Sequence, residues 1–283
     1  MKFISLLFSV SILLFMCSCR SKPSLEYLKQ LSATETYPDD IFLDTVSDKK
    51  AMVIVAHDDD NCAMSGTLEK LKAGGWKILQ LDFVTHQPAT GNELIVEDGL
   101  YRLGLDTMQY PYVPITREQM EKEFLREKIT HALLDKVNRF QPAVILTLDN
   151  EMGGYGHPEH IFISQLVLDL FREQKIHPQK IYQSVFTNHM EREIVDTWLY
   201  NRMKKYNYPN PTQIAKNLYQ IEGMPDPTVQ INISPYAAAK MAYLRGYPES
   251  VRKNLRKFIP YYEDFDSKTY FSIFDREFFR VID

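Results

Sequence analysis

The chain has 283 residues, 45% of them hydrophobic, enough for one substantial core. Its charged share of 25% and formal net charge of -4 are those of an ordinary globular protein. Basic stretches such as "NRMKKY" and "VRKNLRKF" are short and isolated, which argues against nucleic acid as a partner.

The first residues, "MKFISLLFSVSILLFMCSC", combine one lysine, an apolar run from Phe3 to Met16, and then small residues and cysteine. That run is short for a membrane span and fits the apolar part of a signal peptide. Ser18 immediately before Cys19 resembles a bacterial lipobox, so residues 1–18 are expected to be a lipoprotein signal peptide, with Cys19 lipidated at the new N-terminus. Cys17 is the rival site, and an uncleaved membrane anchor is the alternative. The expected location is the bacterial cell envelope, lipid-anchored and extracytoplasmic. After cleavage at Cys19, Cys62 is the only other cysteine, so no intrachain disulfide framework is available. Residues 19–48 read as a polar tether, and 49–283 as the domain.

Lys50 to Ala56 is an apolar run of the kind expected of a buried parallel strand. Ala63 to Ala73 reads as a helix ending at Gly74-Gly75. Trp76 to Thr85 is a second strand, and Glu93 to Leu103 reads as a helix stopped by Gly104. Thr116 and Gln119 form a capping box, after which Met120, Phe124, Leu125, Ile129, Leu133, Leu134 and Val137 trace a helical stripe. "PAVILTL" (142–148) is another buried strand, followed by "DNEMGGYGHPEH" and a helix to about Glu173; "KIYQSVF" (180–186) is the next strand. Alternating strands and helices predict an α/β fold, a Rossmann-like, mostly parallel sheet with helices on both faces. Beyond about residue 190 the pattern becomes irregular and rich in Tyr, Phe and Pro. The aromatics of "YYEDFDSKTYFSIFDREFF" read as the packing of a C-terminal portion, with stacking on sugar faces the alternative.

Loops leaving the C-terminal ends of parallel strands gather on one edge, where ligands bind. The loop after the first strand carries His57, Asp58, Asp59 and Asp60; the loop after 142–148 carries Tyr155, His157, Glu159 and His160. Pro158 suits the first turn of a helix and Glu159 its N-terminus, which puts His157 and His160 three apart and able to face the same way. Imidazoles and carboxylates converging on one edge are the ingredients of a divalent metal site, and two histidines with one carboxylate favour zinc with a fourth position for water. A cation there offsets the repulsion among the aspartates, while a further carboxylate acts as general base. His86 is a weaker candidate for the same edge; His131, His177 and His189 read as structural, and Cys62 as a small buried residue.

These residues resemble the PIG-L/LmbE family of zinc-dependent de-N-acetylases. The family's A-H-P-D-D-E motif reads "AHDDDN" at 56–61, its H-P-D-H after a Gly-Tyr-Gly turn reads "GGYGHPEH" at 153–160, and a weaker match lies at "INISPYAAAKMAYLRGYPES". The resemblance implies His57, Asp60 and His160 as metal ligands for one Zn2+ (or another divalent ion), and Asp59 as the base activating water. It implies His157 as the group that stabilises the oxyanion or protonates the leaving amine, Glu159 as its orienting partner, and Tyr155 beside the substrate carbonyl. Asp58 stands where the family has proline, Asn61 where it has glutamate, and "RGYPES" lacks its usual histidine. The implied activity is removal of an N-acetyl group from an amino sugar or glycan-linked substrate. A metal- or carbohydrate-binding module without turnover is the alternative; an acidic magnesium pocket is a third reading, which leaves "HPEH" without a role.

Overall fold

A computed structural model describes residues 22–84, 100–102, 114–205 and 207–283. The expected signal peptide with Cys17 and Cys19, the weaker candidate His86, and most of the helix expected over Glu93–Leu103 lie outside the described residues.

Among the described residues seven strands form one sheet: β1 (Lys50–His57), β2 (Lys77–Val84), β3 (Leu100–Arg102), β4 (Val144–Leu148), β5 (Lys180–Val185), β6 (Val229–Asn232) and β7 (Arg276–Ile282), in the order β3-β2-β1-β4-β5-β7-β6. The pairings among β1 to β5 are parallel; β7 is antiparallel to both β5 and β6. The alternation of β1 decides the layering. Ala51, Val53 and Val55 point into one core cluster, and Met52, Ile54 and Ala56 into another. The first cluster is completed by Leu68 and Leu71 of the helix Ser65–Ala73 and by Met241 and Leu244 of the helix Ala237–Gly246. The second takes Ile129, Leu133 and Val137 of Arg126–Phe140, and Ile161, Phe162 and Leu166 of Pro158–Arg172. Both faces of the sheet are therefore covered, as the continuous apolar strands require.

Several local expectations hold in detail. Thr116 and Gln119 form the reciprocal capping box, and Pro158 opens its helix. Gly74 caps Ser65–Ala73 and Gly75 turns the chain at φ 77°. Others are corrected. The stripe after Thr116 is broken at Leu125, whose left-handed φ of 43° separates Arg117–Glu123 from Arg126–Phe140. Residues 100–102, expected as helix, pair with β2 as strand, because ladder hydrogen bonds at a sheet edge override a weak local preference.

The stretch read as a polar tether is packed onto the domain from residue 25 on. Leu28, Leu31, Leu43 and Val46 are buried, Tyr182 Oη donates to Asp40 Oδ2 at 2.7 Å, and Asp39 bridges to Gln230. Leu25, Leu28 and Leu31 recur at helical spacing behind the cap Ser24, and the helix they form turns Leu28 and Leu31 into the core. The region beyond 190 is likewise built, not irregular: it supplies β6, β7, several helices and the buried aromatics Tyr262, Tyr270, Phe271 and Phe279. Among the described residues, no helix is long and apolar enough to cross a membrane.

Candidate metal centre

The chain runs from β1 to β2 on one side and from β4 to β5 on the other, so the order of strands reverses between adjacent β1 and β4. Such a switch point opens a crevice beyond the carboxyl ends of the strands. Both sequence clusters lie there, one on the loop leaving β1 and the other on the loop leaving β4.

His57 is the last residue of β1, and a 3-10 turn follows at Asp60–Met64. Asp60 folds back so that Oδ2 accepts the His57 backbone N–H at 2.8 Å. Across the crevice His160 sits in the first turn of Pro158–Arg172. Three side chains converge: His57 Nδ1 lies 2.9 Å from His160 Nε2 and 3.3 Å from Asp60 Oδ2, and Asp60 Oδ1 lies 3.1 Å from His160 Nε2. Ligands about 2.0–2.1 Å from a tetrahedral zinc are separated by roughly 3.3 Å. The spacing fits.

The other nitrogen of each imidazole is held from behind. Glu159 Oε2 lies 2.5 Å from His57 Nε2, and His160 Nδ1 lies 2.8 Å from the Gly153 carbonyl. These acceptors place the ring protons away from the convergence point and leave His57 Nδ1 and His160 Nε2 as lone-pair donors, the usual support of metal-bound histidines. Burial opposes a charge on His57, yet Asp60 and Glu159 raise its pKa well above the ordinary imidazole value. Burial would also raise Asp60, but His160 and His57 hold its carboxyl well below the usual range. A field this favourable to a proton is favourable to a cation at the same place.

His157 belongs to the same group: ligand atoms of His57, His157 and His160 all lie within 4.8 Å of one another and could hold a metal ion. Its ring stacks on His160 at 4.3 Å and meets His57 edge-on at 4.9 Å. Glu159, expected to orient His157, has its close contact with His57 instead; its carboxylate is 4.0 Å from His157 Nδ1. Tyr155 stacks on Phe258 at 4.4 Å, with its ring 5.4 Å from that of His160. Asp59 lines the adjoining cavity of about 270 Å³, together with His57, Asp60, Tyr155, His157 and His160. Cys62 lines it too, and burial, followed by Asp59 and Asp60, pushes its thiol pKa well up. His131, His177 and His189 are not among the lining residues.

Several residues that the sequence reading missed build this geometry. Asp149, just after β4, accepts the backbone N–H groups of Glu151 (3.0 Å), Met152 (2.6 Å), Gly153 (3.1 Å) and Gly154 (2.8 Å). Its buried carboxylate thus shapes the loop whose Gly153 carbonyl holds His160; burial raises its pKa in spite of the four donors. Gly153, at φ 54°, admits no side chain, since a Cβ would come within 2.8 Å of His160 Cβ. On the β1 side, Asn61 is bonded to Gln80 and Tyr243, while Gln80 Nε2 and Tyr247 Oη each reach the Asp58 carbonyl at 3.3 Å. Glu277 of β7 accepts the Gly66 and Thr67 N–H groups at 2.8 and 2.7 Å and pairs with buried Lys240, tying the helix behind the acidic loop to the C-terminal strand. Three glycines and two acids between Asp149 and Gly156, just after a strand, signal a shaped loop; nothing in the sequence links residue 277 to residue 66.

No family model matches the chain, and no curated protein matches its sequence. Solved structures are similar in fold. N,N'-diacetylchitobiose deacetylase from Pyrococcus horikoshii aligns at 16% identity and a TM-score of 0.43, over 86% of this chain and 89% of that one. The zinc-inhibited form of a teicoplanin deacetylase aligns at 9% identity and a TM-score of 0.45, over 82% and 98%. The 4-carboxy-2-hydroxymuconate hydratase of Pseudomonas putida KT2440 aligns equally well, at 11% identity and a TM-score of 0.45, over 83% and 96%. At such values the likeness settles neither family nor activity, and two different chemistries stand among the matches.

Proposed function

We propose that the protein is a zinc-dependent amidohydrolase of the PIG-L/LmbE type that removes an N-acyl group from an amino sugar or a related amine. The observation that carries this reading is the meeting of His57 Nδ1, His160 Nε2 and the Asp60 carboxylate at separations of 2.9 to 3.3 Å, beside a cavity that Asp59 and His157 also line.

His57, Asp60 and His160 would hold the ion, with Glu159 and the Gly153 carbonyl fixing the two imidazoles. When bound, zinc polarises a carbonyl and lowers the pKa of a coordinated water to about 7. Asp59, the residue before Asp60, stands on the wall of the same cavity, and in this reading its carboxylate takes the proton of the attacking water. His157, stacked against His160, gives a proton to the departing nitrogen and a hydrogen bond to the developing oxyanion. Tyr155, beside both imidazoles, orients the substrate carbonyl. The sequence reading of Cys19 as a lipidated residue places this chemistry at the cell envelope.

The test is zinc content and acid release measured on the same preparation with N-acylated glucosamine and chitooligosaccharides. Release that depends on zinc supports the reading. A filled site with no turnover on any N-acyl substrate would favour a binding module.

A further inference from the structure

The cavity does not resemble a site for a bare sugar. One wall belongs to an apolar cluster that includes Met190, Ile194, Met224 and Phe278, with Phe186 and Phe258 packed against it; all six side chains line the cavity. This wall starts at the reacting centre, because Phe258 is stacked on Tyr155, whose ring is within 5.4 Å of His160.

The wall is held in place. Ile194 lies on a π-helical segment, Glu191–Leu199, a rare geometry that recurs at functional sites. Glu191 at its start accepts the Met224 N–H at 2.7 Å and pairs with Lys216, and Met224 Sδ accepts the Phe186 N–H at 3.3 Å. Gly223 is packed so closely on the Glu191 carboxylate that a Cβ would lie 2.5 Å from Oε2. The polar lining residues on the C-terminal side are largely bonded within the protein. Lys240 pairs with Glu277, Lys257 donates to Asn254 at 3.1 Å, and Arg276 contacts Asp275, Gln230 and the Glu35 carbonyl. Sugar hydroxyls placed against such a wall would lose water without gaining partners. An alkyl chain loses nothing there and gains contact, and two methionines let the surface adapt to it.

We propose that this wall is an acyl-chain subsite, so that the preferred substrate carries an alkyl chain of several carbons on its amide carbonyl and not acetyl alone. This rests on the hydrolase reading, yet the subsite can be probed separately. The full chain loaded with zinc is titrated calorimetrically with sodium hexanoate and with sodium acetate, and turnover of N-hexanoylglucosamine is compared with that of N-acetylglucosamine. Hexanoate should bind about tenfold tighter or more, and kcat/KM should favour the hexanoyl amide by a similar factor. The near-isosteric Met224→Gln, whose amide oxygen can still accept the Phe186 N–H, should cut both preferences several-fold with zinc content unchanged. Equal binding of the two acids, or faster turnover of the acetyl amide, would overturn the subsite and leave the hydrolase reading standing. Hexanoate preference with no turnover of either amide would support the subsite and overturn the hydrolase reading. A preference unmoved in Met224→Gln would overturn the assignment to this wall.

Discussion

The two sides of the crevice were made by different rules. On one side, two short loops after β1 and β4 hold every side chain assigned to chemistry, and each of them lies within a dozen residues of its neighbours in sequence. On the other side, the wall is assembled from residues 184 to 278, which come together only through tertiary packing. Chemistry needs a few atoms at fixed separations, and a tight turn at a strand end delivers them. A binding wall needs area, and area can be gathered from anywhere in the chain. The two sides should therefore fail differently when altered.

The largest effect is expected at the proposed metal ligands on the two loops. His160→Ala removes a donor at the convergence point and takes from Asp60 the largest of the charges that hold its carboxylate, so zinc content should fall to background and turnover with it. Full occupancy in that variant would break the assignment of the loops to metal binding. Asp59→Ala should keep its zinc and lose about 10²–10⁴-fold in kcat, the usual size of a general-base contribution. Near wild-type turnover would remove Asp59 from that role.

Asp149→Ala tests whether the shape of the β4 loop matters apart from its ligands. It leaves four buried N–H groups without their carboxylate and frees the Gly153 carbonyl that holds His160. Weakening of zinc binding by about 10–100-fold is expected, as for other supporting partners of metal-bound histidines. An unchanged zinc Kd would show that His160 is positioned by its helix alone.

Why one side was legible and the other was not follows from the same contrast. His57, Asp60, His157 and His160 stand at spacings fixed by a strand end and a helix start, both of which the apolar runs and Pro158 announce. The parallel strands β1 and β4 are nearly continuous apolar runs, and with β5 they lie within two residues of where the sequence puts them. Leu43 and Val46 give no such periodic signal, and β6 (VQIN) and β7 (REFFRVI) break their apolar residues with polar and charged ones. Lys240 and Glu277 form a buried pair between a helix and a strand far apart in sequence, and no local pattern couples them.

That pair sharpens the comparison from the C-terminal side. Glu277→Gln leaves buried Lys240 without its counter-charge and should cost roughly 3–5 kcal/mol of stability by chemical denaturation, yet leave zinc stoichiometry at that of the wild type. Loss of zinc with the fold intact would mean that the C-terminal strand sets the ligand geometry as well as the wall. The smallest effect on the domain is expected from Cys19→Ser. It should leave zinc content and turnover unchanged while shifting the protein out of the detergent phase in a partitioning assay. Unaltered retention and processing would point to Cys17 or an uncleaved anchor.

The central claim is that the ion is held by His57, Asp60 and His160, with His157 beside it and not on it. Metal content by mass spectrometry, measured in parallel on wild type, His160→Ala and His157→Ala after identical zinc loading and gel filtration, tests it most directly. The expected result is one zinc per chain in wild type and in His157→Ala, and none in His160→Ala. Loss of zinc from both variants would establish a three-histidine centre and contradict the assignment of His157 to proton transfer.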